Sequence, residues 1–275
     1  METKEKTSMW LELAQVFNEL SHNPDVRVIV LSGAGEKAFT TGLDVKAASQ
    51  GWIASEGSND DPARQAFLIR KHVTSFQDCI TAIERCEKPV IVAMHGFSLG
   101  LAVDISTAAD IRVCSRDVRF AVKEVDIGLA ADIGTLSRLP KVVGNYGWVK
   151  EVALTARIFG ADEALRVGFV NAVHENKADT VRAALELAGL IASKSPIAVQ
   201  GTKEILNWSR DHSVHDGISF PLPFLIFFYL VYELVANWLG LRYTTVWNSA
   251  ALQTKDVSSA LLSGIQKRKP TFEKL

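Results

Sequence analysis

An α/β fold with a helical C-terminal part is predicted by three observations. Residues 26–32 (VRVIVLS) and 89–94 (PVIVAM) are continuous, β-branched apolar runs, the pattern of strands buried on both faces. Between them Ile69, Val73, Phe76, Ile80 and Ile83 recur at steps of four and three, the stripe of an amphipathic helix. After Glu124 nearly every segment has helical spacing or caps.

Taken in order, Pro24 precedes the first strand, and Gly33 and Gly35 close it. A helix over residues 62–87 ends before Pro89. The second strand, 89–94, turns at His95-Gly96 into a helix over 99–109, and a third strand follows at 111–114. Strand, helix, strand at this length is a crossover unit of a parallel sheet. Helices are expected at 133–139, 145–155, 161–167, 179–194, 197–208 and 255–268. The expected organisation is a core over residues 1–195 and a C-terminal helical region over 196–275.

Composition excludes several function classes. The 275 residues carry 30 Lys+Arg against 31 Asp+Glu, a net charge of −1. With the basic residues scattered, nothing forms the field that a nucleic-acid backbone needs, so no nucleic-acid partner is expected. Cys79, Cys86 and Cys114 are odd in number and lack Cys-x-x-Cys spacing. The first eight residues lack the apolar stretch of a secretory signal, so a reducing, intracellular compartment is expected. The start is also neither Arg-rich nor acid-poor, as a mitochondrial transit peptide would be. No metal-binding, Walker or Gly-x-Ser-x-Gly string is present. Gly33-Ala34-Gly35 is only half of a dinucleotide fingerprint, so no nucleotide cofactor and no metal are expected.

Three acids stand in apolar company: Asp104 (LGLAVDISTAAD), Glu124 (FAVKEVDIGLA) and Asp132 (GLAADIGTL). A carboxylate buried without a partner is costly. Each is therefore either satisfied structure, such as a cap or a partner of Arg112 or Arg138, or a tuned catalytic group. Asp110 and Asp126 read as a cap and a solvated turn, and His95 as a turn or core histidine. Two tight turns, 38–45 (AFTTGLDV) and 95–104 (HGFSLGLAVD), place small residues before helices, where free amides can hold an oxyanion. Taken alone, each is equally a strand-to-helix turn capped by Asp44 or Ser98.

AFTTGLDV, KPVIVAMHGFSLGLAVDISTAADIRVCS and FAVKEVDIGLAADIGTLSRLPKVVGN resemble the signature blocks of the crotonase (enoyl-CoA hydratase/isomerase) superfamily. KEVDIGLAADIGTL and SKSPIAVQGTKEILNWSRDHSV resemble its Δ3,5-Δ2,4-dienoyl-CoA isomerase branch. The resemblance implies a spiral of strand-strand-helix repeats with a C-terminal helical trimerisation region. It also implies a homotrimer or hexamer, and an acyl-CoA thioester substrate held between the two turns, with CoA as part of the substrate and no further cofactor.

The first oxyanion turn then comprises Thr41, Gly42, Leu43 and Asp44, with the amide at Leu43. The second comprises Gly100, Leu101 and Ala102, with the amide at Leu101. Asp104 and Glu124 match the carboxylate positions of hydratases, and Asp132 the extra acid of dienoyl isomerases. The resemblance assigns Asp132 as C2 base, Glu124 as C6 acid and Asp104 as the group that tunes them. The resemblance assigns Lys269 and Phe272, in the run Lys269-Pro270-Thr271-Phe272, to holding the CoA nucleotide.

The sequence departs from the family pattern in three places. Leu101 and Ala102 stand where the family has glycines, which puts side chains at the acyl pocket. The chain opens near the first helix, without the strand and turn that usually precede it. Residues 218–240 form an apolar insertion, dispensable to the fold, that touches a membrane only if it is genuine and exposed. Two other readings stay open: an enoyl-CoA hydratase using Asp104 and Glu124 around a water, and a catalytically silent acyl-CoA-binding member. The final Glu273-Lys274-Leu275 resembles the Ser-Lys-Leu peroxisomal address, so a peroxisomal location is expected, with a mitochondrial one as alternative.

Overall fold

The computed structural model describes residues 9–42, 61–211 and 255–268. Two four-stranded sheets form, the chain alternating between them from β1 to β6. Strands β1 (Ile29–Ser32), β3 (Val90–Met94), β5 (Ile111–Ser115) and β8 (Ala172–His174) form the first, in that order and all parallel. Strands β2 (Ala38–Thr40), β4 (Phe97–Leu99), β6 (Arg119–Ala121) and β7 (Phe159–Gly160) form the second, parallel except for the β6–β7 pair. Each turn of the chain adds one strand to each sheet. Helix α1 (Met9–His22) precedes the first turn, α2 (Pro62–Arg85) follows β2, and α3 (Leu101–Ala108) follows β4. The result is the expected strand-strand-helix spiral.

Burial explains the sequence pattern. All five residues of β3 are buried, because it pairs with β1 on one side (Ile29 opposite Val90) and β5 on the other (Ile91 opposite Ile111). A strand covered on both faces reads as one apolar run rather than an alternation. Helix α2 buries Ile69, Val73, Ile80 and Ile83, as the stripe predicts. Trp10 of α1 stacks on Phe76 of α2 at 4.6 Å. Phe120, Phe159 and Phe169 fill the centre of the main core with ring centroids 5.1 to 5.8 Å apart.

The chain passes from the first sheet to the second at stacked corners. Phe39 donates to the His95 carbonyl (3.0 Å), Phe97 to that of Lys37 (3.1 Å), and Arg119 to that of Gly96 (2.8 Å). At Gly96 φ is +53°, and a Cβ would stand 2.2 Å from the Lys37 carbonyl oxygen, so backbone packs on backbone where no side chain fits.

The structure corrects two expected boundaries. The first strand begins at Ile29 rather than residue 26, since its ladder starts where Ile29 donates to Pro89. Residues 97–99 are strand β4, and the helix expected from residue 99 starts at Leu101. The second sheet escaped the sequence reading because its strands are two or three residues long, too short to display a period.

Beyond β6 a 3₁₀ turn (Glu124–Ile127) leads into α4 (Thr135–Val142), α5 (Tyr146–Thr155), α6 (Ala161–Arg166), α7 (Lys177–Ala192), α8 (Pro196–Ser209) and α9 (Lys255–Ile265). Each falls within a few residues of its expected place. Helix α8 is tied to the core where Lys203 meets Asp110 at 2.8 Å. From α9, Leu261 packs with Ile69 and Val73 of α2, against Leu129 and Ile133 of the loop before α4. No helix among the described residues is long and apolar enough to cross a membrane. Residues 218–240 and the C-terminal tripeptide lie outside the described residues.

Candidate active site

Asp104 projects from α3 and is 1% exposed. Its Oδ1 accepts both the N–H and the hydroxyl of Thr135, each at 2.7 Å. Thr135 opens α4, so the carboxylate of one helix satisfies orphan donors at the start of the next. Burial pushes the Asp104 carboxyl up to about 6, opposed by the two Thr135 hydrogen bonds; nearby Asp132 raises it further and Arg138 lowers it.

Glu124 begins the 3₁₀ turn that follows β6. Its Oε2 is buried and has no hydrogen-bond donor. Desolvation pushes this carboxyl up to about 8, with the Asp104 and Asp132 charges adding to the shift. Glu124 therefore holds its proton at neutral pH. Asp132 lies half-buried in the loop between Gly128 and Gly134, both at positive φ. Its carbonyl accepts a hydrogen bond from Gln77 of α2, which anchors the loop. The three acids that the sequence singled out thus converge from a helix, a 3₁₀ turn and a loop to within electrostatic reach of one another.

The two small-residue turns also meet. A Cβ built on Gly42 (φ +85°) would lie 3.2 Å from the Leu99 carbonyl oxygen and 3.6 Å from the Leu101 nitrogen. Gly100 (φ +53°) faces the acids: a Cβ there would lie 3.4 Å from Glu124 Oε1. Leu101 is the first residue of α3, and its N–H has no intrahelical acceptor by position. Leu101 and Ala102, the side chains expected at the acyl pocket, open helix α3. Leu101 is half-buried and packs against the main core, and Ala102 is 1% exposed. Thr41 is exposed and Gly42 half-buried. Leu43, Asp44, Lys269 and Phe272 lie outside the described residues.

Other singled-out groups are structural. His95 is buried with Nε2 3.0 Å from the Gly35 carbonyl oxygen, as a turn histidine should be. Asp110 clamps a strand instead of capping a helix, accepting from Val90 N at 2.7 Å and pairing with Lys203. Asp126 pairs with Lys123 on the surface. Ser98 donates to the His95 carbonyl rather than capping α3. Arg112 binds the carbonyls of Ser106, Ala109 and Phe169 and none of the three acids. Among the described residues no group of three His, Cys, Asp or Glu is placed to hold a metal ion. Sequence reasoning missed Thr135, whose signal is its place after Gly134 at a helix start.

The profile of the enoyl-CoA hydratase/isomerase family matches residues 6–220. The chain belongs to this family. It is 43% identical over 269 residues to the human protein named Delta(3,5)-Delta(2,4)-dienoyl-CoA isomerase, mitochondrial, an alignment spanning 97% of this chain and 74% of the human one. It is 41% identical to the Arabidopsis thaliana protein of the same name, designated peroxisomal, across 97% of this chain and 86% of that one. Among solved structures, an enoyl-CoA hydratase from Bacillus anthracis superposes with a TM-score of 0.67 at 26% identity, covering 96% of this chain and 87% of its own. An enoyl-CoA hydratase/isomerase from Mycobacterium paratuberculosis shares the fold, with a TM-score of 0.71 at 24% identity, covering 92% of this chain and 86% of its own. The hydratase/isomerase fold is therefore common to this chain and the two solved structures.

Proposed function

We propose that this protein is a Δ3,5-Δ2,4-dienoyl-CoA isomerase of fatty-acid β-oxidation. One observation carries the reading: Glu124, a carboxyl held protonated by burial and by neighbouring acids, shares a site with Asp132, an acid on a separately anchored loop. Moving two double bonds into conjugation with a thioester requires a base at C2 and an acid at C6. Asp132 takes the C2 proton, the C–H electron pair enters the diene, and Glu124 delivers a proton to C6. One proton leaves the substrate and one returns. Asp132 and Glu124 then exchange protonation states and reset by proton transfer before the next turnover.

Between the two transfers the charge rests on the thioester oxygen. The amides of Leu43 and Leu101 are assigned to hold it, each such donor contributing ~3 kcal/mol. The juxtaposition of Gly42 with the Leu99–Leu101 backbone supports that assignment. Lys269 and Phe272 are assigned to the CoA nucleotide, with no cofactor beyond the substrate's own CoA. The names of the human and Arabidopsis relatives support the same activity.

The hydratase alternative needs Asp104 and Glu124 to act together on a water. Asp104 Oδ1 is instead engaged twice by Thr135, which favours a tuning role. Purified protein supplied with a 3,5-dienoyl-CoA is expected to generate 2,4-dienoyl-CoA absorbance, with slower hydration of a 2-enoyl-CoA. Hydration faster than isomerisation overturns the assignment. A homotrimer or hexamer is the proposed assembly. The peroxisome is the proposed location, with the Glu-Lys-Leu terminus as address; a free-C-terminus fusion that stays in mitochondria or cytosol refutes it.

A further inference from the structure

Beneath the acids lies a buried ionic cluster that the chemistry above does not use. Arg138, 5% exposed and one helical turn along α4 from Thr135, donates through Nε to Glu84 Oε2 at 2.9 Å and through Nη2 to Thr81 at 2.8 Å. Glu84 of α2 also faces Arg210, just beyond α8, at 2.5 Å. Lys141 and Asp211 form a further pair beside them. Arg210 also meets Asp211 at 3.4 Å, so Arg138, Arg210 and Lys141 face two carboxylates and the cluster keeps one positive charge in excess.

The excess is directed. Nη1 of Arg138 is buried with no hydrogen-bond partner. It lies against the backbone of Gly134, where a Cβ would stand 2.0 Å away, between Asp132 and the Thr135 that binds Asp104. An arginine saturated by its carboxylate would only hold helices together. This one leaves a cationic edge toward the loop and the start of α4.

We propose that Arg138 is a positioning residue which, acting through Asp104, fixes the site's proton on Glu124. Thr135 and the Arg138 field keep Asp104 ionised. The resulting anion, facing Glu124 from α3 while Asp132 faces it from the loop, disfavours a second negative charge on Glu124. Without Arg138, the proton shifts from Glu124 toward Asp104, and the C6 acid loses its proton in the resting state. The proposal rests on the isomerase reading for its consequence, but its test needs no substrate.

The test is pH-difference infrared spectroscopy of the full chain, using the protonated-carboxyl C=O band that is absent in Glu124→Gln. In the unsubstituted protein this band is expected to persist through neutral pH. Arg138→Gln lowers its midpoint by about one pH unit or more, and Arg138→Lys, which keeps the charge, holds it near the original value. Thr135→Val lowers it too and decides the matter if Arg138→Gln does not fold. A folded Arg138→Gln or Thr135→Val protein with an unchanged Glu124 midpoint overturns the proposal. In turnover, the high-pH limb of kcat moves down with the midpoint while KM stays constant. A midpoint shift in a protein without isomerase activity upholds the electrostatic role and refutes the assigned reaction instead.

Discussion

Asp132→Asn and Glu124→Gln keep side-chain shape and remove proton transfer. Each is expected to cost ~100 to 10,000-fold in isomerase rate with the fold retained, read by dienoyl absorbance and circular dichroism. Because Glu124 donates only when protonated, kcat is expected to fall as pH rises past about 8. Stability follows the same proton. The folded state holds it, and the unfolded chain releases it near the ordinary 4.5. The native state therefore binds more protons between these values, and stability declines as pH rises through the window. Glu124→Gln removes that slope, so denaturant unfolding at pH 9 is expected to favour the variant by a few kcal/mol relative to the comparison at pH 5. The acids were legible because charge in apolar company stands out in a sequence. Thr135 was not, because a hydroxyl after a glycine carries no compositional signal, and only the packing of α3 on α4 gives it a partner.

Glycine conformation sets the second oxyanion turn. Gly100 has φ +53° and ψ −109°, a region costly for any residue with a Cβ. Gly100→Ala is expected to lower stability by ~1 to 3 kcal/mol and, by forcing a strained turn and setting a methyl against Glu124 Oε1, to reduce kcat more than it raises KM. Steady-state kinetics and chemical denaturation check the two parts separately. Leu101→Gly, which sequence reasoning alone would credit with opening the pocket, removes core packing at a helix start. It is expected to lose ~1 to 3 kcal/mol without gaining activity, measured by thermal unfolding and turnover. Helices and first-sheet strands were readable because long amphipathic or fully buried segments impose a period. The second sheet was not, since its strands are two or three residues long and are defined by pairing with chain some twenty to sixty residues away.

Across the whole molecule, Glu84 joins α2 to α4 and to the chain beyond α8. Glu84→Gln leaves the buried Arg138 without its carboxylate, and is expected to destabilise by ~3 kcal/mol or more, read from the denaturation midpoint. No sequence pattern announced that link, because its partners Arg138 and Arg210 sit 54 and 126 residues from Glu84. The parallel ladders carry a further consequence for how the chain comes to be folded. Ile29 can pair with Val90 only after the intervening segment has formed, and Val113 must wait for Ala172. No strand of the first sheet has a local partner. Folding is therefore dominated by contacts distant in sequence and belongs to the slow regime, with the first apolar strand unpaired until the second has emerged during synthesis. That waiting period, rather than the finished structure, is where this chain is most exposed to aggregation.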